Sequence, residues 1–178
     1  MVSPIAPHDR STRCVVVMGV AGSGKTAVGR MLADRLGWAF VDGDELHPPQ
    51  NVEKMRAGVP LDDADRGPWL RAVSDWIVAQ HRDDHACVVA CSALKRPYRD
   101  QLRESGVGIT FVHLDLPFDV AVARVSARSG HFMPAELARS QFGALEPLGE
   151  DESGHTVDAT GDLDSVVAKV ADLVGRPA

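Results

Sequence analysis

The run Gly19-Val20-Ala21-Gly22-Ser23-Gly24-Lys25-Thr26 constrains this chain more than any other feature, because it fits G-x-x-x-x-G-K-[ST] in full. It follows a short apolar, β-branched run, Cys14 to Met18, and precedes Val28, Met31, Leu32 and Leu36 at helical spacing. A strand, a glycine-rich turn and a helix in that order gather backbone N–H groups and the positive end of the helix around one point. The glycines let the backbone curl so that successive N–H groups point inward. Such a cradle suits the phosphates of ATP. Lys25 reaches the β- and γ-phosphates, and the Thr26 hydroxyl takes a Mg²⁺ position.

The rest of the chain alternates strand and helix signals. Trp38 to Val41 reads as a second strand ending in Asp42-Gly43-Asp44, and Pro48-Pro49 opens a helix that Gly58 stops. Asp62 or Asp63 caps a longer helix carrying Trp69, Leu70, Val73, Trp76 and Ile77. Ala86 to Cys91 and Ile109 to Leu116 are further strands, a basic helix lies between them, and a weak fifth strand spans His155 to Asp158. Parallel strands need crossover connections, so this order predicts a three-layer α/β/α sandwich around a parallel five-stranded sheet, a P-loop NTPase fold resembling the nucleoside monophosphate kinases. With 178 residues there is room for one domain, 14–178, after a tail at 1–13. An acceptor-binding insertion falls at about 44–82 and a lid at about 129–148.

Bulk charge narrows the partners. A net charge of -6 favours neither nucleic acid nor an anionic membrane surface, and no apolar run approaches the roughly 20 residues of a membrane span. The three cysteines, Cys14, Cys87 and Cys91, sit in strand-like apolar runs and match no zinc spacing, as expected of reduced core thiols in the cytoplasm. His81-Arg82-Asp83-Asp84-His85 imitates a zinc helix, but Arg82 stands where the catalytic glutamate belongs.

Ligands of such sheets bind beyond the carboxyl ends of the strands, where the loops after strands one, two and three all carry polar residues. After strand two, Asp44 can orient an acceptor hydroxyl and take its proton, and Asp42 can enter the Mg²⁺ shell. His47, Lys54 and Arg66 on the insertion, with Lys95 and Arg99 after strand three, form a positive patch suited to a carboxylate-bearing acceptor. Trp69 is placed to wall that pocket. Arg124 and Arg128, four apart on one helical face, can close over the nucleotide, one stacking on adenine and the other reaching the phosphates. Guanine selection usually needs N-K-x-D, and the single asparagine, Asn51, lies in Asn51-Val52-Glu53-Lys54. The residues by themselves lead to a kinase acting on a carboxylate-bearing polyol or something similar.

Several longer segments resemble the thermoresistant-type gluconokinases, within the wider shikimate kinase and nucleoside monophosphate kinase group. They are Met18 to Lys25, Asp42-Gly-Asp-Glu-Leu-His-Pro48, Asn51 to Met55, Pro60 to Arg66 with Pro68-Trp-Leu70, Cys91-Ser-Ala-Leu-Lys95 with Tyr98 to Asp100, Arg124, Arg128 to Met133, and Gln141-Phe142. The resemblance implies transfer from MgATP to D-gluconate, giving 6-phospho-D-gluconate, by an enzyme that is commonly a homodimer. It supports the roles of Lys25, Asp44, Lys95, Arg124 and Arg128, with Lys25, Asp44 and Arg128 as the catalytic set, and it adds His131 to the acceptor-binding residues. The rival expectations are a kinase of the same fold acting on shikimate, a nucleotide or another sugar acid, and a binding module that hydrolyses ATP slowly.

Overall fold

The computed structural model describes residues 13–128 and 135–175. In chain order the elements are β1 (Cys14–Met18), α1 (Lys25–Leu36), β2 (Ala39–Asp42), a 3-10 turn (Gly43–Leu46), α2 (Pro49–Arg56), α3 (Asp63–Arg82) and β3 (Cys87–Ala90). There follow α4 (Arg96–Arg103), β4 (Ile109–Asp115), α5 (Phe118–Ser126), α6 (Ala135–Ala144), β5 (Gly154–Asp158) and α7 (Leu163–Val174). The five strands form one sheet in the order β2-β3-β1-β4-β5, with every pairing parallel.

Alternation along the strands divides the core between the two faces of the sheet. Cys14, Val16 and Met18 of β1 face one side, where they pack with Trp69, Leu70, Val73 and Ile77 of α3 and with Tyr98 and Leu102 of α4. Val15 and Val17 face the other, against Val28 and Leu32 of α1 and Val166, Val167 and Val170 of α7. The three cysteines are free and buried within this core. Strand β1 is central, so the turn that leaves it is flanked on both sides by neighbouring strand ends.

Two details differ from the sequence expectation, and a third settles a choice it left open. The segment after β2 continues into a 3-10 turn, because Asp42 caps it by accepting a hydrogen bond from the Asp44 N–H at 3.0 Å. Helix α5 ends at Ser126, where the Arg128 N–H turns back to the Val125 carbonyl, so Arg128 lies beyond the helix and shares no helical face with Arg124. Of the two candidate caps on α3, Asp62 fills the role in a reciprocal capping box with Asp65.

Candidate active site

The loop from Gly19 to Gly24 leaves β1 and delivers Lys25 as the first residue of α1. Gly22 has φ +83°, and a Cβ there would stand 2.5 Å from the Ala121 carbonyl, so only glycine permits the approach of this loop to α5. The Gly19 N–H donates to the Ser92 carbonyl at 3.3 Å, which ties the loop to the segment after β3. The buried Ser23 hydroxyl finds no hydrogen-bond partner among the described residues. A buried, orphaned hydroxyl in a glycine-rich loop at a helix N-terminus is what a phosphate group would satisfy.

Lys25 Nζ donates to the Val20 carbonyl at 3.0 Å. Burial pushes its pKa down, and the nearby Asp44, Cys91 and Asp42 pull it back up, while Arg128 adds to the lowering. These charges therefore act on one another although they come from four separate segments. Burial, with Asp44 nearby, pushes the Cys91 thiol up to about 12, so it serves as neutral packing behind Lys25 rather than as a nucleophile.

Asp42 joins the donor and acceptor sides. Its Oδ2 accepts from the Thr26 hydroxyl at 2.6 Å and its Oδ1 from the Asp44 N–H at 3.0 Å. The Thr26–Asp42 pair matches the sparse donor set of kinase Mg²⁺ sites, in which phosphates and water complete the shell. No cluster of three or more His, Cys, Asp or Glu with metal-site geometry occurs among the described residues. His81 and His85 lie at the end of α3 and before β3, at the opposite edge of the sheet.

His47 follows the 3-10 turn, with its ring stacked on Trp69 at a centroid distance of 4.4 Å. Asn51 Nδ2 donates to the Asp65 carbonyl at 2.9 Å, which fixes the orientation of that amide, and it meets His47 Nδ1 at 3.3 Å. The imidazole proton is thereby assigned to Nε2, which faces Asp44 Oδ1 at 4.0 Å. Burial lowers the His47 pKa, which favours this neutral form.

Three sequence assignments are corrected. Trp69 is 1% exposed and donates Nε1–H to the Gly43 carbonyl at 2.7 Å, so it supports His47 and the turn from behind rather than walling a pocket. The Lys54 ammonium is held by both carboxylate oxygens of Asp65, at 2.8 and 2.7 Å, and fastens α2 to the start of α3. Arg99 is 0% exposed and spends its donors on Glu152 and on the carbonyls of Ala93, Leu94, Glu146 and Pro147. No donor of Arg99 is left to meet a ligand, and the side chain acts as a buried strut.

Arg66 and Lys95 do converge. Each places its charge 5.6 Å from the Tyr98 ring centroid. Asp63 accepts from the Tyr98 hydroxyl and from Lys95 Nζ at 3.2 Å. Arg66 makes only a 3.5 Å contact with the Leu61 carbonyl and no ion pair among the described residues, which leaves a guanidinium able to meet a carboxylate. Tyr98 and Asp63 carry no site role in the sequence reading, where Tyr98 stands in a matching segment beside Lys95 and Asp63 is a capping candidate.

On the far side of the phosphate loop, Arg124 donates to the Ala159 carbonyl at 2.8 Å and to Thr160 at 3.4 Å. It lines a pocket of about 100 Å³ with Ser23, Gly24, Val28, Ala159, Gly161, Leu163 and Val166. The loop after β5 thus forms a wall of this pocket, a part no sequence motif had marked. Arg128 is exposed, and His131 lies outside the described residues. Gln141 of α6, noted in sequence only as part of a matching segment, accepts a hydrogen bond from the Ala21 N–H at 2.7 Å.

Comparison with known proteins agrees with this geometry. The Shikimate kinase family model matches residues 21–173. A gluconokinase of Gluconobacter oxydans is 54% identical over 140 residues, 79% of either chain. The thermoresistant gluconokinase of Escherichia coli is 44% identical over 170 residues, covering 95% of this chain and 96% of that one. The crystal structure of a gluconokinase from Sinorhizobium meliloti superposes with a TM-score of 0.81 at 40% identity, covering 93% of this chain and 97% of that one.

Proposed function

Because the chain belongs to the gluconokinase family and carries a P-loop domain of the shikimate kinase type, we propose that it transfers the γ-phosphate of ATP to D-gluconate, giving 6-phospho-D-gluconate and ADP. The observation that carries this reading is the Asp42 bridge. One carboxylate joins the phosphate-loop hydroxyl of Thr26 to the backbone of Asp44, so the nucleotide side and the acceptor side are set by a single group.

Asp44 accepts the hydrogen bond of the primary hydroxyl of gluconate and takes its proton as the oxygen–phosphorus bond forms and the bond to ADP breaks. His47, with its proton on Nε2, faces the Asp44 carboxylate at 4.0 Å and orients its approach to the hydroxyl. Arg66 and Lys95 receive the gluconate carboxylate over the Tyr98 ring. Lys25 and Arg128 balance the charge of the transferring group, and positioning with electrostatics supplies most of the acceleration. Thr26 and Asp42 would hold Mg²⁺, which when bound would neutralise charge on the β- and γ-phosphates. Arg124 and the loop after β5 receive the base.

The acidic balance and the family suit a cytoplasmic homodimer with a small-molecule substrate and neither nucleic acid nor membrane as partner; light scattering on the eluted protein tests the dimer. The reaction is tested by ADP release from MgATP with and without D-gluconate, with shikimate and AMP as controls. A gluconate-dependent rate absent with the controls supports the proposal. Stimulation by shikimate alone, or ATP binding without stimulation by any acceptor, would overturn it.

A further inference from the structure

Helix α6 meets the phosphate loop with a hydrogen bond from Gln141 and an apolar contact from Phe142. The Ala21 N–H donates to Gln141 Oε1 at 2.7 Å, the short end of the N–H···O range. The neighbouring Phe142 packs with Val20, Leu94, Leu116 and Ala121, and meets Phe118 edge-on at 5.4 Å. Just past the helix, the Glu146 N–H donates to the Leu94 carbonyl at 2.8 Å, and Glu146 Oε2 accepts from the Arg96 N–H at 2.7 Å. Leu94 and Arg96 flank Lys95. A short stretch, 141–146, therefore grips the phosphate loop at one end and the acceptor-side lysine at the other, although it contributes no group to the chemistry above.

We propose that Gln141 is a positioning residue that fixes the Ala21 peptide and so sets the phosphate loop relative to the Lys95 segment. The inference rests on the phosphoryl-transfer reading. A cradle of N–H groups works only while each peptide plane keeps its orientation. The Ala21 N–H shares its plane with the Val20 carbonyl, which accepts from Lys25 Nζ at 3.0 Å and from the Ser23 N–H at 3.2 Å. Gln141 therefore holds from the opposite side the plane on which Lys25 rests. Gln141 supplies a fixed acceptor that an unanchored loop would lack. If the acceptor is removed, the competent loop is populated for a fraction of the time, and apparent nucleotide affinity falls by that fraction.

Gln141→Met keeps length and volume but removes the acceptor, whereas Gln141→Glu keeps an acceptor and brings a negative charge towards the phosphates. Amide hydrogen exchange at Ala21 without nucleotide is the first readout. Protection is expected in the natural protein and in Gln141→Glu, and its loss in Gln141→Met at unchanged global stability. The second readout is calorimetric binding of a non-hydrolysable ATP analogue, expected about five- to tenfold weaker in Gln141→Met, as for one lost hydrogen bond. Equal Ala21 protection in Gln141→Met and the natural protein, loss of protection in both variants, or unchanged analogue affinity would each overturn the proposal. Neither readout involves an acceptor, so a failure of gluconate as substrate would leave both results standing and would be seen separately in the ADP assay.

Discussion

The rings of His47 and Trp69 lie nearly parallel, 14° apart, with the indole N–H of Trp69 anchored on the Gly43 carbonyl. A core tryptophan thereby fixes the backbone of the turn that carries Asp44 and the imidazole that faces it. Trp69→Phe would keep an aromatic surface but take the indole donor from the buried Gly43 carbonyl. The expected cost is about 1–3 kcal/mol in urea unfolding, with a fall in kcat exceeding any change in ATP affinity. An unchanged kcat would separate the stack from Asp44.

The buried state of His47 has a signature in pH. Burial holds its folded pKa below the ordinary 6.5. Between that depressed value and 6.5 the unfolded chain binds more protons than the folded one, so stability rises with pH through this window and the deficit is complete below it. Urea midpoints between about pH 5 and 7.5 should rise in the natural protein and rise less steeply in His47→Asn, where the remaining slope comes from His113, whose pKa burial also lowers. Equal slopes in the two proteins would contradict the buried neutral imidazole.

Arg99 and Glu152 predict acid sensitivity of a different origin. The Arg99 guanidinium, helped by the Gly149 N–H and Arg103, holds the Glu152 carboxyl down to about 2 from 4.5, although burial opposes this. Its contribution to stability is present in full above about pH 4.5 and is lost as pH falls towards about 2. Arg99→Met would leave a carboxylate whose side chain is 1% exposed with Arg103 and the Gly149 N–H as its remaining partners, at an expected cost of up to about 3–5 kcal/mol by urea unfolding at pH 7. A loss below about 1 kcal/mol would mean that solvent reaches Glu152 readily.

For Lys25, activity and stability should move in opposite directions. Lys25→Met should cut single-turnover phosphoryl transfer by roughly 10²–10³-fold, the scale of one lost charge-stabilising donor. Because burial already disfavours the charged amine, its thermal midpoint should equal or exceed that of the natural protein. Retained turnover would remove Lys25 from the catalytic set.

Most of the architecture was legible because local signals were strong. The β-branched runs, the glycine-rich loop and the caps each named an element, and alternation implied the parallel sheet. The phosphate loop and the Asp42-Gly43-Asp44 segment were legible for the same reason: their chemistry is concentrated in a few neighbouring residues. Arg99 and Lys54 were misassigned because a cation's partner is invisible in one dimension; Glu152 stands far along the chain, and Asp65 reads only as part of a helix start. Gln141, Tyr98 and the loop after β5 act through tertiary neighbours, which no spacing rule encodes.

The central place of β1 also orders events in time. Cys14 to Met18 pair with Cys87 to Ala90 on one side and Ile109 to His113 on the other, so the strand that launches the phosphate loop has no partner until much of the chain has left the ribosome. Gln141 and the Ala159–Thr160 carbonyls come later still. Pairing across such sequence distances is slow, because loop closure must precede any gain in contacts. The phosphate loop is thus made before every segment that completes it, and a nascent chain cannot sequester nucleotide before residues 159–160 have emerged.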